Sequence, residues 1–229
     1  VGDKMTVHFY LVRHGQTQLN RWHRLQGITD SPLTNKGQRS ARKLGQQLQH
    51  VRFAAAYTSD LDRTLKTAKL ILQENIQPQI PIFQEPRLRE LSFGEYEEGK
   101  NRQVLPHFLQ QLGPLNIWKA MYHHHHAMEL TNLFHTIDQT SQIEDAQQLS
   151  QRINYFMEDL GERYASRPTE SNVLIVAHAL ILSVFIESLN GKVPRLLIKN
   201  AHVYRVDYDN SQFKLLAIPT SKLKEGKKD

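Results

Sequence analysis

Apolar positions divide this chain into segments that are apolar without interruption and segments that are apolar along one stripe. Val7 to Val12 reads as a continuously apolar strand, the pattern of a parallel sheet covered on both faces. A loop rich in Gln, Arg, Asn and Gly runs from Gln16 to Ser31. Thr34 then caps a predicted helix whose apolar residues Ala41, Leu44, Leu48 and Val51 recur at three- and four-residue steps. A second short strand, Ala54 to Tyr57, leads into another helix, capped by Ser59 or Asp60, with Leu61, Leu65, Ala68 and Leu72 on one face. The order β-α-β-α predicts an α/β fold.

Ile80 to Phe83 is a third candidate strand, and Pro78, Pro81 and Pro86 around it predict a sheet edge. From about residue 85 to 139 strand patterning is lost, and Gly94, Gly99, Pro106, Gly113 and Pro114 separate short helical pieces. This stretch is expected to be a mainly helical insertion lying over one end of the sheet. Helical spacing resumes over Ser141 to Tyr164 for about six turns, through Ile143, Ala146, Leu149, Ile153, Phe156, Met157 and Leu160. Val173 to Ala177 is the second continuously apolar strand and ends at His178, before a buried helix over Leu180 to Leu189. Val203 to Tyr208 and Phe213 to Ala217, joined through Asp209-Asn210-Ser211, predict a closing hairpin. The expected whole is one domain over residues 1–229: a three-layer α/β/α sandwich on a mostly parallel sheet with an antiparallel edge.

Composition narrows the classes of function. The 229 residues carry 29 Lys plus Arg against 23 Asp plus Glu, a formal charge of +6 that favours anionic ligands. No basic cluster is interleaved with aromatics in the manner of single-strand binders, so nucleic acid is not the expected partner. The densest basic segment, Lys222 to Lys228, reads as a solvated tail. With no cysteine, disulfides, thiolate nucleophiles and Cys-ligated metals are excluded. No apolar run reaches the roughly 18 residues of a membrane span and no charged-then-apolar leader opens the chain, which leads to the expectation of a cytoplasmic protein without membrane association.

The chemistry gathers where strands end. Val12-Arg13-His14-Gly15 closes the first strand, Ser59 to Arg63 follows the second, and His178 follows the Val173 strand. In open α/β sheets ligands bind at the carboxyl ends of strands, so parallel neighbours would bring these groups to one rim. Two histidines and two arginines there would repel one another unless a doubly negative group sat among them, and guanidinium forks match phosphoryl oxygens. In Leu88-Arg89-Glu90-Leu91, at the start of the insertion, Glu90 offers a carboxyl that can trade a proton with a leaving oxygen.

These residues carry a resemblance. The sequence resembles the histidine phosphatase superfamily, also called the phosphoglycerate mutase-like family, through Arg13-His14-Gly15-x-Thr17-x-x-Asn20. Further matches are Gln26-Gly27 with Asp30-x-Pro32-Leu33-Thr34-x-x-Gly37, Ser59-x-Leu61-x-Arg63-Thr64 with Thr67-Ala68, Leu88-x-Glu90 with Phe93-Gly94, and Ala177-His178. They follow the family's order and span residues 6 to about 180. The resemblance implies a phosphohistidine on His14, with its other ring nitrogen held by a backbone carbonyl. It further implies Arg13, Arg63 and His178 as ligands of the phosphoryl oxygens, Asn20, Gln26 and Gly27 as substrate-binding residues, and Glu90 as the proton donor. Neither a cofactor nor a metal is implied.

Two departures bear on function. Ala179 follows the second histidine, where the family usually has glycine. Leu91-Ser92-Phe93-Gly94 follows Glu90, where true phosphoglycerate mutases have Arg-His-Tyr-Gly. Phosphate hydrolysis is therefore the expected reaction, with a small phosphorylated metabolite as substrate. Mutase-type transfer and a non-catalytic phospholigand-binding domain are the alternatives, and the choice between monomer and homodimer stays open. His123 to His126 suggest no more than adventitious metal binding. Trp22, His23, Arg24, Arg87, Arg89, Lys100 and Arg102 are candidate mouth residues, whereas Trp118 and Tyr122 read as packing.

Overall fold

A computed structural model describes residues 4–100, 126–140, 142–189 and 198–216, with a few further positions between 104 and 115. Six strands form one sheet: β1 (Val7–Arg13), β2 (Phe53–Thr58), β3 (Ile82–Gln84), β4 (Ser171–Ala177), β5 (Val203–Asp209) and β6 (Gln212–Leu216), in the order β3-β2-β4-β1-β5-β6. Strands β1 to β4 run parallel, and β5 and β6 add the antiparallel edge.

The uninterrupted apolar runs are explained by a core on each face. Because successive side chains of a strand point to opposite faces, Phe9, Leu11, Val173 and Ile175 enter one core while Tyr10, Val12, Leu174 and Val176 enter the other. The second core is closed by α2 (Asn35–Gln47) and α3 (Asp62–Leu72). The first is closed by α5 (Ala146–Ala165) and α6 (Ala179–Ser188). Every residue from Ala179 to Glu187 is buried, which is why this helix shows no polar stripe. The layers are those of an α/β/α sandwich.

Several boundaries differ from expectation for identifiable reasons. Inside the loop over 16–31 lies α1 (Gln18–Arg21), started by a capping box between Thr17 and Asn20. Helix α5 begins at Ala146, not near Ser141. The Asp138 carboxylate accepts the Thr140, Gln142 and Ile143 N–H groups, and a capping box between Asp145 and Gln148 sets the start. Ile143 nevertheless reaches the core from that turn. The third strand starts at Ile82 and sits at the sheet edge as expected. Neither Ser59 nor Asp60 caps α3. Its N-cap is Leu61, because the Ser59 hydroxyl is drawn into the site described below and Asp60 binds Arg89. The closing turn places Asn210 and Ser211 at φ of 48° and 60°, the conformation of a two-residue hairpin.

In the insertion, described elements are two 3₁₀ turns, Pro86–Leu88 and Gly94–Tyr96, and α4 (His126–Ile137). Helix α4 is pinned at its start by Glu187, buried at the end of α6, whose carboxylate accepts the Ala127 and Met128 N–H groups. His123 to His125, Arg102, Trp118, Tyr122, Ala217 and Lys222 to Lys228 lie outside the described residues. Among those described, no helix is long and apolar enough to cross a membrane.

Candidate active site

Sheet register decides what meets. Arg13 of β1 is opposite Ala177 of β4, and Thr58 of β2 is opposite Val176, so the residues that follow, His14, His178 and Ser59, emerge side by side at one rim. The His14 and His178 rings are 5.3 Å apart between centroids. Glycines let the chain close over this rim. A Cβ on Gly15 would lie 2.8 Å from the Gly37 carbonyl oxygen, so the start of α2 packs directly on the loop after β1. A Cβ on Gly27 would run into the Leu91 carbonyl and the Glu97 carboxylate.

His14 is buried, and its Nδ1 donates to the Gly15 carbonyl at 2.8 Å, which leaves Nε2 as the lone-pair nitrogen. Nothing among the described residues hydrogen-bonds that nitrogen. Burial, reinforced by Arg63 and Arg13, holds the His14 imidazolium well below its ordinary range. His178 is fully buried. Its Nδ1 accepts from the Arg63 guanidinium at 3.1 Å, so Nε2 carries the proton and donates to Ser59 Oγ at 2.9 Å. Burial and then Arg63 hold it, too, well below the usual histidine value.

Arg63 is 1 % exposed and almost fully satisfied. It donates to the carbonyls of Gly27 at 2.5 Å and Thr29 at 2.8 Å and to Asp30 at 3.1 Å, while its Nε has no partner. Arg13 donates to the Ile198 carbonyl at 2.9 Å, and burial, opposed by Glu90 and aided by Arg63, pushes it down to about 10, so it stays charged at neutral pH. The repulsion expected of four crowded cations is thus relieved within the protein itself. Both imidazoles are neutral, Arg63 rests on Asp30 and the Gly27 and Thr29 carbonyls, and Arg13 rests on the Ile198 carbonyl.

Glu90 is buried at the start of α6. Its Oε1 accepts from the Leu91 and Ile181 N–H groups and its Oε2 from Leu180 N–H. Burial pushes its pKa up against the pull of those donors and of Arg13. Asn20 and Gln26 line a cavity together with Arg13 and Glu90, but much of their hydrogen-bonding capacity is spent inside the loop. Asn20 completes the α1 capping box, and Gln26 binds Thr17, Thr29 and Ser31. The Gly27 N–H donates to Glu97 and its carbonyl accepts from Arg63, so Gly27 serves here to seat Arg63.

Two contributors, Glu97 and Asn200, escaped the sequence reading, and Thr67, quoted there only as a motif match, has a contact of its own. Glu97 accepts the N–H groups of Gly27, Ile28, Thr29 and Phe93 and so fastens the 27–29 loop to the insertion. Asn200 donates to the His14 carbonyl, and Thr67 Oγ1 accepts the Gly15 N–H. Of the two that escaped, only the Glu97 carboxylate carried a signal, an acid in a glycine-bounded turn. Of the candidate mouth residues, His23 and Arg24 line the cavity. Trp22 is 60 % exposed, Arg87 pairs with Glu85, and Arg89 pairs with Asp60, so these three are diverted elsewhere. Lys100 meets Arg24 through a backbone bridge. Among the described residues no three His, Cys, Asp or Glu side chains converge as a ligand set for a metal.

The neutral histidines have a consequence for stability. Unfolded, each binds a proton below about pH 6.5; folded, each resists it, so the unfolded state holds more protons and stability falls with pH below 6.5, by up to ~1.4 kcal/mol per unit per histidine. The raised Glu90 acts with opposite sign above pH 4.5, because the folded state there holds the extra proton, but it is one group against two. The melting temperature is expected to drop between pH 7.5 and 5.5. A flat or rising profile would contradict neutral burial of the pair.

Comparison with known proteins agrees with this geometry. The profile of the histidine phosphatase superfamily (branch 1) matches residues 9–220. A probable phosphoglycerate mutase of Salmonella arizonae is 32% identical over 211 residues, covering 89% of this chain and 86% of that protein. The crystal structure of a phosphoglycerate mutase from Bacillus anthracis superposes with a TM-score of 0.86 at 32% identity, covering 96% of each chain. The alpha-ribazole phosphatase of Shigella flexneri does so at 0.66 and 26% identity, over 92% of this chain and 95% of that one. The chain belongs to the histidine phosphatase superfamily and is an enzyme of phosphoryl transfer.

Proposed function

We propose that this enzyme is a metal-independent phosphomonoesterase that hydrolyses a small phosphorylated metabolite through a phosphohistidine on His14. The observation that carries the reading is the locked ring of His14: Nδ1–H is committed to Gly15, and Nε2 keeps a free lone pair beside Arg13 and Arg63. In the first step Nε2 forms a bond to phosphorus as the ester P–O bond breaks, the electron pair leaving on the alcohol oxygen. Arg13, Arg63 and His178 hold the equatorial oxygens through the transition state, with Asn20 adding a hydrogen bond. Engagement of the phosphoryl group by His178 Nε2–H replaces its bond to Ser59.

Glu90 supplies the proton to the leaving oxygen. Oε1 already accepts two N–H groups and Oε2 only one, so the proton rides on Oε2. In the second step water attacks phosphorus, the N–P bond breaks, Glu90 takes the proton back, and inorganic phosphate leaves. Cationic side chains supply the charge compensation throughout.

Glu90→Gln is expected to lower kcat ~10²–10³-fold on alkyl phosphates and far less on aryl phosphates, whose alcohols leave without protonation. Equal losses on both classes would remove Glu90 from the role. Mutase-type transfer is the second reading, favoured by the names of relatives such as the Salmonella arizonae protein. Supplying 3-phosphoglycerate and following both products tests it, since release of phosphate faster than formation of 2-phosphoglycerate supports hydrolysis and the reverse overturns it.

A further inference from the structure

The cavity that Arg13, Glu90 and Asn200 line, beside the rim that carries His14, has two unlike halves. Arg13, Gln16, Asn20, Gln26, Glu90 and Asn200 form its polar part. The rest of the wall is Leu25, Phe93, Leu130, Phe134, Ala179 and Leu180, with His23 and Arg24 at the mouth. Leu130 and Phe134 are one helical turn apart on α4 and so share a face. Phe134 packs against Phe93 with 4.6 Å between ring centroids and the planes tilted by 56°, which makes this wall a packed surface. The volume is about 280 Å³, small for a ligand site.

We propose, building on the phosphomonoesterase reading, that the substrate is the phosphate ester of a compact apolar alcohol that carries no second anionic group. Arg13 and Arg63 are occupied by the phosphoryl group, and among the described residues nothing charged lies on the apolar wall to receive a carboxylate. Arg24, at the mouth, gives one guanidinium nitrogen to the Glu98 carbonyl at 2.5 Å. Glu90 lines the same space and turns negative as it gives up its proton, so a second negative charge on the leaving group meets a carboxylate there as the ester bond breaks. A carboxylate on such a wall loses its hydration without a partner, whereas an aliphatic or benzylic body gains by leaving water. The extra methyl of Ala179 belongs to this wall and adds to its apolar character.

The test compares alkyl esters, so that leaving-group reactivity does not decide the outcome: benzyl phosphate, glycerol 3-phosphate and 3-phosphoglycerate, with phosphate release as the readout. Benzyl phosphate is expected to have the highest kcat/KM, ~10-fold or more above 3-phosphoglycerate. Leu130→Arg, which sets a cation on the wall, is expected to narrow or invert that ratio, and Leu130→Ala to lower kcat/KM for benzyl phosphate chiefly through KM. Equal or better turnover of 3-phosphoglycerate by the unaltered enzyme overturns the proposal, as does a ratio unmoved in a folded Leu130→Arg protein. Absence of turnover on all three esters, with no acid-labile phosphoryl label on the protein, overturns instead the hydrolase reading beneath it.

Discussion

His14→Ala is expected to lower turnover of any phosphate ester by at least ~10⁴-fold and to abolish acid-labile phosphoryl labelling of the protein. No other described group offers a comparable nucleophile at the rim, since the His178 ring nitrogens are bound to Arg63 and Ser59. The fold should survive. The side-chain bond of His14 is local, to the next residue's carbonyl, and the strand it follows is held by β4 and β5 on either side. Retained turnover in a folded His14→Ala protein would end the covalent mechanism, whatever else the site does.

Arg63→Ala is expected to fail twice. Removing a guanidinium aimed at the spreading charge of the transition state costs ~10²–10³ in kcat. From sequence, the loss should fall on turnover more than on stability. The structure adds a second loss, because Arg63 ties together the Gly27 and Thr29 carbonyls, Asp30 and His178 from the middle of the site. Truncation strands several buried acceptors at once, and on the order of 3 kcal/mol of stability should go with them. Arg63→Lys separates the two effects. A single ammonium restores charge but not the fork, so stability should recover only in part while kcat stays low. A melting temperature unchanged in Arg63→Ala would show that the loop 27–30 holds itself without the arginine.

The two apolar strands were legible because burial on both faces removes alternation, and the hairpin because the turn residues Asp209-Asn210-Ser211 separate two strand-like runs, although Asp209 itself pairs with Gln212. The start of α5 was not legible. Ile143 falls in helical register, yet the Asp138 side chain competes locally for the backbone N–H groups a helix would use. The misread cap of α3 has a tertiary cause, since Ser59 is claimed by His178, 119 residues away in sequence.

The site divides in the same way. Residue types at strand ends and in one loop pointed to two imidazoles, two guanidiniums and a carboxyl as its members, and the family resemblance singled out His14 as the nucleophile. What sequence left undecided was protonation and partnership. That His14 and His178 are neutral, that Arg63 is seated by carbonyls which Glu97 orders from behind, and that Glu90 is held by the first turn of α6 follow from burial and from contacts across the sheet register. Desolvation and hydrogen-bond geometry are properties of the packed molecule, and no single stretch of chain carries them.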